Sequence, residues 1–199
     1  MSTINIGVLG LQGAVAEHVR MLETAGVEVR VVKKLEDLEG LDGLVIPGGE
    51  STTISKLMNK YGFMEDIREF AHVGKPIMGT CAGAILLANR INGQDDSHLK
   101  LMDIKVERNA FGRQKESFEV ALPIAGVAED FPAVFIRAPY IMEVGLNGQI
   151  LSQYEDKIVA ARDGQFIACA FHPELTEDNR FHQYFVSMVK EYKSQKAPV

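Results

Sequence analysis

Two cysteines in 199 residues are too few to staple a chain of this size, and neither shares zinc-ligand spacing with a histidine or with the other cysteine. A disulfide framework and a structural metal are therefore not expected, and a reducing compartment is. No apolar run approaches the roughly 18 residues of a membrane span. The N-terminus "MSTINIGVLG" also has no basic stretch ahead of its apolar residues. A soluble, cytoplasmic protein with no membrane partner is expected. Basic charge is scarce too: 21 Lys and Arg stand against 27 Asp and Glu, a net charge of −6, and no basic run is interleaved with aromatics. Nucleic acid is a poor partner for such a chain. Repeats, low-complexity tracts and long linkers are missing as well. The length suits one sheet-and-helix core, so a single domain over residues 1–199 is expected.

What is present is an alternation. The runs "NIGVLGL" (5–11), "VEVRVV" (27–32), "LDGLVIP" (41–47) and "PIMGT" (76–80) are nearly continuous in apolar residues, as strands covered on both faces are. Between them lie helical patterns. Residues 14–25 place Val15, Val19, Leu22 and Ala25 on one face, and residues 52–61 and 64–73 supply two more helices. This order predicts an α/β fold, a doubly wound, mostly parallel sheet with helices on both faces. From Leu99 to about Gly164 the pattern changes to strand-like segments broken by Gly, Pro and Asn: "LKLMDIKVERN", "SFEVALPI", "AVFIRAPYI" and "IVAARDG". These predict a small antiparallel extension of the sheet or a second sheet beside it. The chain closes with the strand-like "QFIACAFHP", a helix from about Asp178 to Lys193 with Phe181, Phe185, Met188, Val189 and Tyr192 on one face, and a loose tail "KSQKAPV".

The string Gly79-Thr80-Cys81-Ala82-Gly83 falls where a strand-like run gives way to a helix-like one. It has the G-x-nucleophile-x-G form of a nucleophile elbow with cysteine as the nucleophile. Such a turn strains the backbone at the nucleophile so that its side chain stands clear, and needs small residues two before and two after. The helix starting near Ala82 aims its positive end at the sulfur, which favours thiolate. The competing reading is a cysteine packed as a small hydrophobe, but packing alone would require neither glycine.

A cysteine nucleophile needs a base. His172 ends an apolar strand and is followed by Pro173 and Glu174. Proline biases the preceding residue toward extended backbone, in which residues two apart point the same way. "HPE" can thus set an imidazole and a carboxylate on one side of a strand end, with Glu174 orienting the ring; a solvated turn is the alternative. His18, His72, His98 and His182 lie in helix-like or polar stretches with no carboxylate at a telling spacing, and are expected to be surface or internally satisfied residues. A third element, "IPGGEST" (46–52), ends another central strand. An amide in this turn, together with that of Ala82, could hold an oxyanion, and the same turn is expected to be capped by Ser51 ahead of the helix. Cys169, in an apolar strand, is expected to be a packed residue.

"PGGEST", "GTCAG" and "FHPEL", in this order, resemble the class I glutamine amidotransferases. With "GVLGLQGAVAEH" (7–18), "PGGESTT" (47–53), "ERNAFGRQ" (107–114), "FIRAPYI" (135–141) and "FHPELTED" (171–178), the resemblance narrows to the glutaminase subunits of the ribose 5-phosphate-dependent pyridoxal 5′-phosphate synthase. It covers nearly the whole chain. The resemblance implies a glutaminase with a triad of Cys81, His172 and Glu174. It also implies L-glutamine held by Gly49, Glu50, Ser51, Arg108, Ile136 and Arg137, and an oxyanion site at Gly49 and Ala82 completed by Gln12 in a partner-responsive loop. No cofactor or metal is implied. Ammonia would pass to a synthase subunit in a large hetero-oligomer, which makes pyridoxal phosphate from ribose 5-phosphate and glyceraldehyde 3-phosphate. Two other readings stay open. A glutaminase subunit of another amidotransferase would share the triad but lack "LQGAVAEH" and "RNAFGRQ", and a noncatalytic module on the same sheet would lack the matched His-x-Glu.

Overall fold

The computed structural model describes residues 2–109, 111 and 117–197. Of the "ERNAFGRQ" motif, residues 110 and 112–114 lie outside the described residues. The chain begins with β1 (Asn5–Leu9), α1 (Val15–Thr24), β2 (Glu28–Val32), β3 (Gly43–Ile46), α2 (Ser51–Lys60), α3 (Phe63–His72) and β4 (Ile77–Thr80). It continues through α4 (Ala82–Leu87), β5 (Ala88–Ile91), β6 (Met102–Glu107), β7 (Ser117–Ile124), β8 (Ala128–Ile136), β9 (Tyr140–Val144), β10 (Gly148–Tyr154), β11 (Lys157–Asp163), β12 (Phe166–Cys169) and α5 (Arg180–Lys196). Among the described residues, no helix is long and apolar enough to cross a membrane.

The main sheet runs β2-β1-β3-β4-β12-β11-β9-β6-β5, with β10 paired to β11. Its first five strands are parallel. β11 then turns antiparallel against β12, and β9 and β6 continue in that manner. The antiparallel region thus takes both expected forms, because β7 and β8 pair apart from the main sheet as a two-stranded one. Side chains of the parallel strands alternate between two cores, since successive residues of a strand face opposite sides. Leu44 and Ile46 enter the core under α2, α3 and α4, whereas Val45, Met78 and Ile167 enter the core under α1 and α5. Burial on both faces explains why these strands read as unbroken apolar runs.

Several local expectations change. α5 runs to Lys196 rather than ending near Lys193, so much of "KSQKAPV" is helical. The cap of α2 is Glu50, not Ser51: its carboxylate accepts hydrogen bonds from the amides of Thr52 (3.1 Å) and Thr53 (2.7 Å), and Ser51 is the first helical residue. β5 is too short for periodicity to reveal, and the pairing of β10 slips between Ile150 and Gln153, which breaks the alternation that marks a strand.

The Glu50 cap is more than half exposed, yet the Thr53 hydroxyl, which donates to Oε2 at 2.6 Å, and then the Thr53 and Thr52 amides hold its carboxyl down at about 2. A carboxylate with a depressed folded value contributes stability that is complete above its unfolded value near 4.5 and is lost as pH falls through about 2. The stability gap between wild type and Glu50→Gln, read from denaturant midpoints, is therefore expected to be wider at pH 6 than at pH 3.

Candidate active site

The chain order reverses at β1: β2 lies on one side of it, and β3, β4 and β12 follow on the other. In open α/β sheets such a switch point leaves a crevice beyond the carboxyl ends of the strands. Four strands deliver residues there. β1 leads to Gln12, β3 to Gly48, Gly49 and Glu50, β4 to Cys81, and β12 to His172.

Cys81 occupies the left-handed region, with φ 52° and ψ −105°, between β4 and α4. Its amide still donates to Cys169 O on β12 (2.8 Å), so the strain falls at a point held by the sheet. The flanking glycines are required by close approach. A Cβ on Gly79 would lie 2.5 Å from Gly83 O, and one on Gly83 would lie 2.1 Å from Ile46 O. The helix therefore packs backbone to backbone against both β4 and the end of β3, as the elbow pattern anticipates.

His172 follows β12, and its amide donates to Val134 O on β8 (2.7 Å). Beneath it, Phe171 is fully buried and meets Phe181 edge to face at 5.5 Å, with Phe131 and Phe135 close by. The small β7–β8 sheet and α5 thereby fix where β12 ends. Glu174 does reach His172, but by a different route from strand alternation. His172 has φ −106° and ψ 87°, and Pro173–Leu175 forms a 3₁₀ turn that swings the carboxylate back onto the ring. Glu174 Oε1 stands 2.5 Å from His172 Nδ1, and Glu174 is wholly buried. Burial acts to lower the His172 pKa. Hydrogen bonds to Cys81 and Glu174, and the negative charge of both, outweigh it and raise the value to about 10. The buried carboxylate on Nδ1 thus favours the protonated form of the ring.

The glycine turn closes around this pair. A Cβ on Gly48 would come within 2.5 Å of His172 Cε1 and 3.4 Å of Cys81 Cβ. Gly48 O accepts from the amide of Ala14 (3.0 Å), and Gln12 Oε1 accepts from the amide of Glu50 (2.9 Å), which ties the loop after β1 to the loop after β3. Ser51 is buried at the start of α2. Arg108 lies against the same turn, with its guanidinium 3.3 Å from Thr52 Oγ1 and 3.8 Å from Glu50 Oε1. Ile136, at the end of β8, places its carbonyl 4.0 Å from Cys81 Sγ. Arg137 follows with φ 45°, where the chain bends toward β9. Ala82 opens α4 directly after the cysteine. Cys169 is fully buried, and burial pushes its thiol well above its ordinary value.

Two residues expected to be unremarkable lie beside this cluster. His18 on α1 and His182 on α5 are both wholly buried and 2.8 Å apart, Nδ1 to Nε2. His18 Nε2 lies 3.0 Å from Thr80 Oγ1 and 3.4 Å from Glu174 Oε2. A signal was available: His18 falls three residues after Val15 and four before Leu22, on the inward stripe itself, and His182 falls three before Phe185 on that of α5.

The parallel core, the strained cysteine between two glycines and the paired imidazole and carboxylate define an α/β protein of the class I glutamine amidotransferase type. Solved structures agree. One described as a glutamine amidotransferase superposes with a TM-score of 0.88 and 46% identity, covering 93% of this chain and 98% of that one. A putative GMP synthase component from Thermoplasma acidophilum shares the fold, with a TM-score of 0.72 at 19% identity over 99% of this chain and all of that one. The model of the SNO glutamine amidotransferase family matches residues 8–191, and the chain belongs to that family. Among its relatives is the pyridoxal 5′-phosphate synthase subunit PdxT of Brevibacillus brevis, 72% identical over 96% of this chain and the whole of that protein. The protein of the same name from a Geobacillus species is 64% identical over the same shares.

Proposed function

We propose that this chain, acting as one domain over residues 1–199, hydrolyses L-glutamine to L-glutamate and ammonia and passes the ammonia to a pyridoxal 5′-phosphate synthase subunit. The observation that carries this reading is the convergence of Cys81 and His172 on Gly48 at the carboxyl edge of the sheet, with the buried Glu174 carboxylate on the far side of the ring at His172 Nδ1.

In the reaction, Cys81 Sγ as thiolate attacks the side-chain carbonyl carbon of glutamine, and the carbon–oxygen π pair moves onto oxygen. The amides of Gly49 and Ala82, with Gln12 completing the loop, receive that oxyanion. When it collapses, the C–N bond breaks and His172 gives its Nε2 proton to the departing nitrogen, so that ammonia leaves and a thioester remains. Water then attacks the thioester with His172 taking its proton. Glutamate departs, and the thiolate–imidazolium pair is restored. Glu174 keeps the ring oriented and supports its positive charge in both halves.

Free glutamine carries an ammonium and a carboxylate. Glu50 and Arg108, 3.8 Å apart at the mouth of the site, offer an acid and a guanidinium suited to that pair. Gly49, Ser51 and the Ile136–Arg137 backbone line the remainder. Glu50 Oε2 is occupied by the amide and hydroxyl of Thr53, but Oε1 accepts the amide of Thr52 and keeps a lone pair, so capping the helix and binding an ammonium are compatible. The relatives named as synthase subunits support a synthase partner, and the proposal extends to a large cytoplasmic hetero-oligomer with no cofactor of its own.

A glutamine-mimicking electrophile, followed by intact-mass and peptide analysis, tests this directly. One adduct on Cys81, suppressed by excess glutamine, is expected. Labelling of Cys169 instead, or labelling indifferent to glutamine, would sink the proposal. Glutamate release should rise when purified synthase subunit is added; equal rates with and without it would remove the partner-responsive role of Gln12.

A further inference from the structure

A buried carboxylate offers about four lone-pair positions and needs them met. Glu174 is wholly buried, and only Oε1 is used on His172. Among the described residues, Oε2 has no hydrogen-bond partner, and the nitrogen that approaches it is His18 Nε2 at 3.4 Å, which also lies 3.0 Å from Thr80 Oγ1. We propose that His18, backed by His182, is a positioning residue of the triad: its Nε2–H holds Oε2 of Glu174, so that Oε1 stays on His172. This rests on the triad reading above.

The direction of the protons follows from what is left unpaired. If His18 donated from Nδ1 to His182, its bare Nε2 lone pair would face the carboxylate, and His182 Nδ1 would be a buried N–H with no acceptor. In the opposite arrangement His182 Nε2–H donates to His18 Nδ1, and His18 carries its proton on Nε2, 3.0 Å from Thr80 Oγ1 and 3.4 Å from Glu174 Oε2. The atom left over is then a bare acceptor nitrogen on His182, which is tolerated far better than an orphaned donor. Both rings are neutral, as this requires. Burial, followed by the charges of His182 and His172, pushes His18 well below its usual value, and burial alone takes His182 to about 3.

The relay links α5, α1 and the 3₁₀ turn, and its branch to Thr80 touches the residue before the nucleophile. It therefore sets both partners of the imidazolium from behind, without reaching substrate. A purely space-filling role predicts that an apolar residue of similar bulk would serve as well. A positioning role predicts that a nitrogen donor is needed.

The discriminating variants are His18→Leu, which removes the donor, and His18→Gln, whose amide nitrogen can take the place of Nε2. With the synthase present, His18→Leu should lower kcat about 10- to 100-fold, the usual effect of losing such a supporting partner, with KM changed less than about twofold. His18→Gln should recover most of the loss. In proton NMR of the free chain, the His172 Nδ1–H resonance should move upfield or broaden in His18→Leu and return toward its place in His18→Gln. His182→Leu, which leaves His18 in position but takes away its donor, should shift kcat and the resonance in the same direction by less, and it stands in if His18→Leu does not fold. A folded His18→Leu with wild-type kcat and an unmoved resonance overturns the inference, as does a His18→Gln no better than His18→Leu. If the wild-type complex releases no glutamate, the proposed function has failed, and the resonance alone then decides whether His18 holds Glu174.

Discussion

Cys81→Ala is expected to reduce glutamine hydrolysis by at least about 10³-fold while the protein keeps its fold, since removal of a triad nucleophile leaves only binding and oxyanion stabilisation. Ammonia release assayed with the synthase present, beside circular dichroism and a melting curve, checks both halves. An active Cys81→Ala protein would refute the assignment. Stability adds a second arm. Alanine inherits the φ of 52° and ψ of −105° that cysteine tolerates only under constraint, whereas glycine reaches this region without a Cβ clash. Cys81→Gly should therefore be equally inactive but more stable than Cys81→Ala by about 1 kcal/mol, or a few degrees in Tm for a chain of this length. A Cys81→Gly melting below Cys81→Ala would mean that the elbow stores no strain at its nucleophile.

Gly48→Ala should cost about 100-fold in activity without touching a reacting atom, because a misplacement on the scale of 1 Å is enough for that loss. Its Cβ would meet His172 Cε1 at 2.5 Å and Nδ1 at 3.0 Å. Neither side can easily give way. The imidazole is held by Glu174 and, through its own backbone, by Val134, while the Gly48 carbonyl is bonded to Ala14 under a tightly packed Gly13. The ring must shift from the position that Glu174 gives it. Gly40→Ala, in the turn that precedes β3 and so at the opposite end of that strand from the site, makes a useful control, since a Cβ there meets nothing within 4 Å. The measurement is kcat for both variants, together with the rate of Cys81 alkylation by iodoacetamide. Wild-type kcat in Gly48→Ala would show that the glycine serves only the turn.

The glycines also show what a sequence can carry by itself. Gly83 is required by Ile46 O at the end of β3, a distant contact, but Gly79 is required by the helix that follows its own strand, a few residues along the chain. Such a constraint appears as a local pattern around Cys81. The parallel strands were legible for a similar reason: burial on both faces makes each a short apolar run, whichever neighbour it pairs with. The pairing of His172 with Glu174 was legible in its partners but not in its geometry, because the 3₁₀ turn that joins them departs from the extended backbone suggested by "HPE".

β10 and the relay behind Glu174 could not be read in that way. The register slip that disguises β10 is a relation between two strands, not a property of one. His18 and His182 sit on the apolar stripes of their helices, and that much is periodicity. That they face each other 164 residues apart, and that Thr80 and Glu174 share His18, depends on α1 and α5 packing on the same face of the sheet. The sequence by itself determined the elbow around Cys81, the pairing of His172 with Glu174 and the sheet that carries them, since most of those demands act through short-range sterics and burial. Only the tertiary structure decided which buried nitrogens hold the carboxylate in place, since hydrogen-bond partners are chosen by proximity in space.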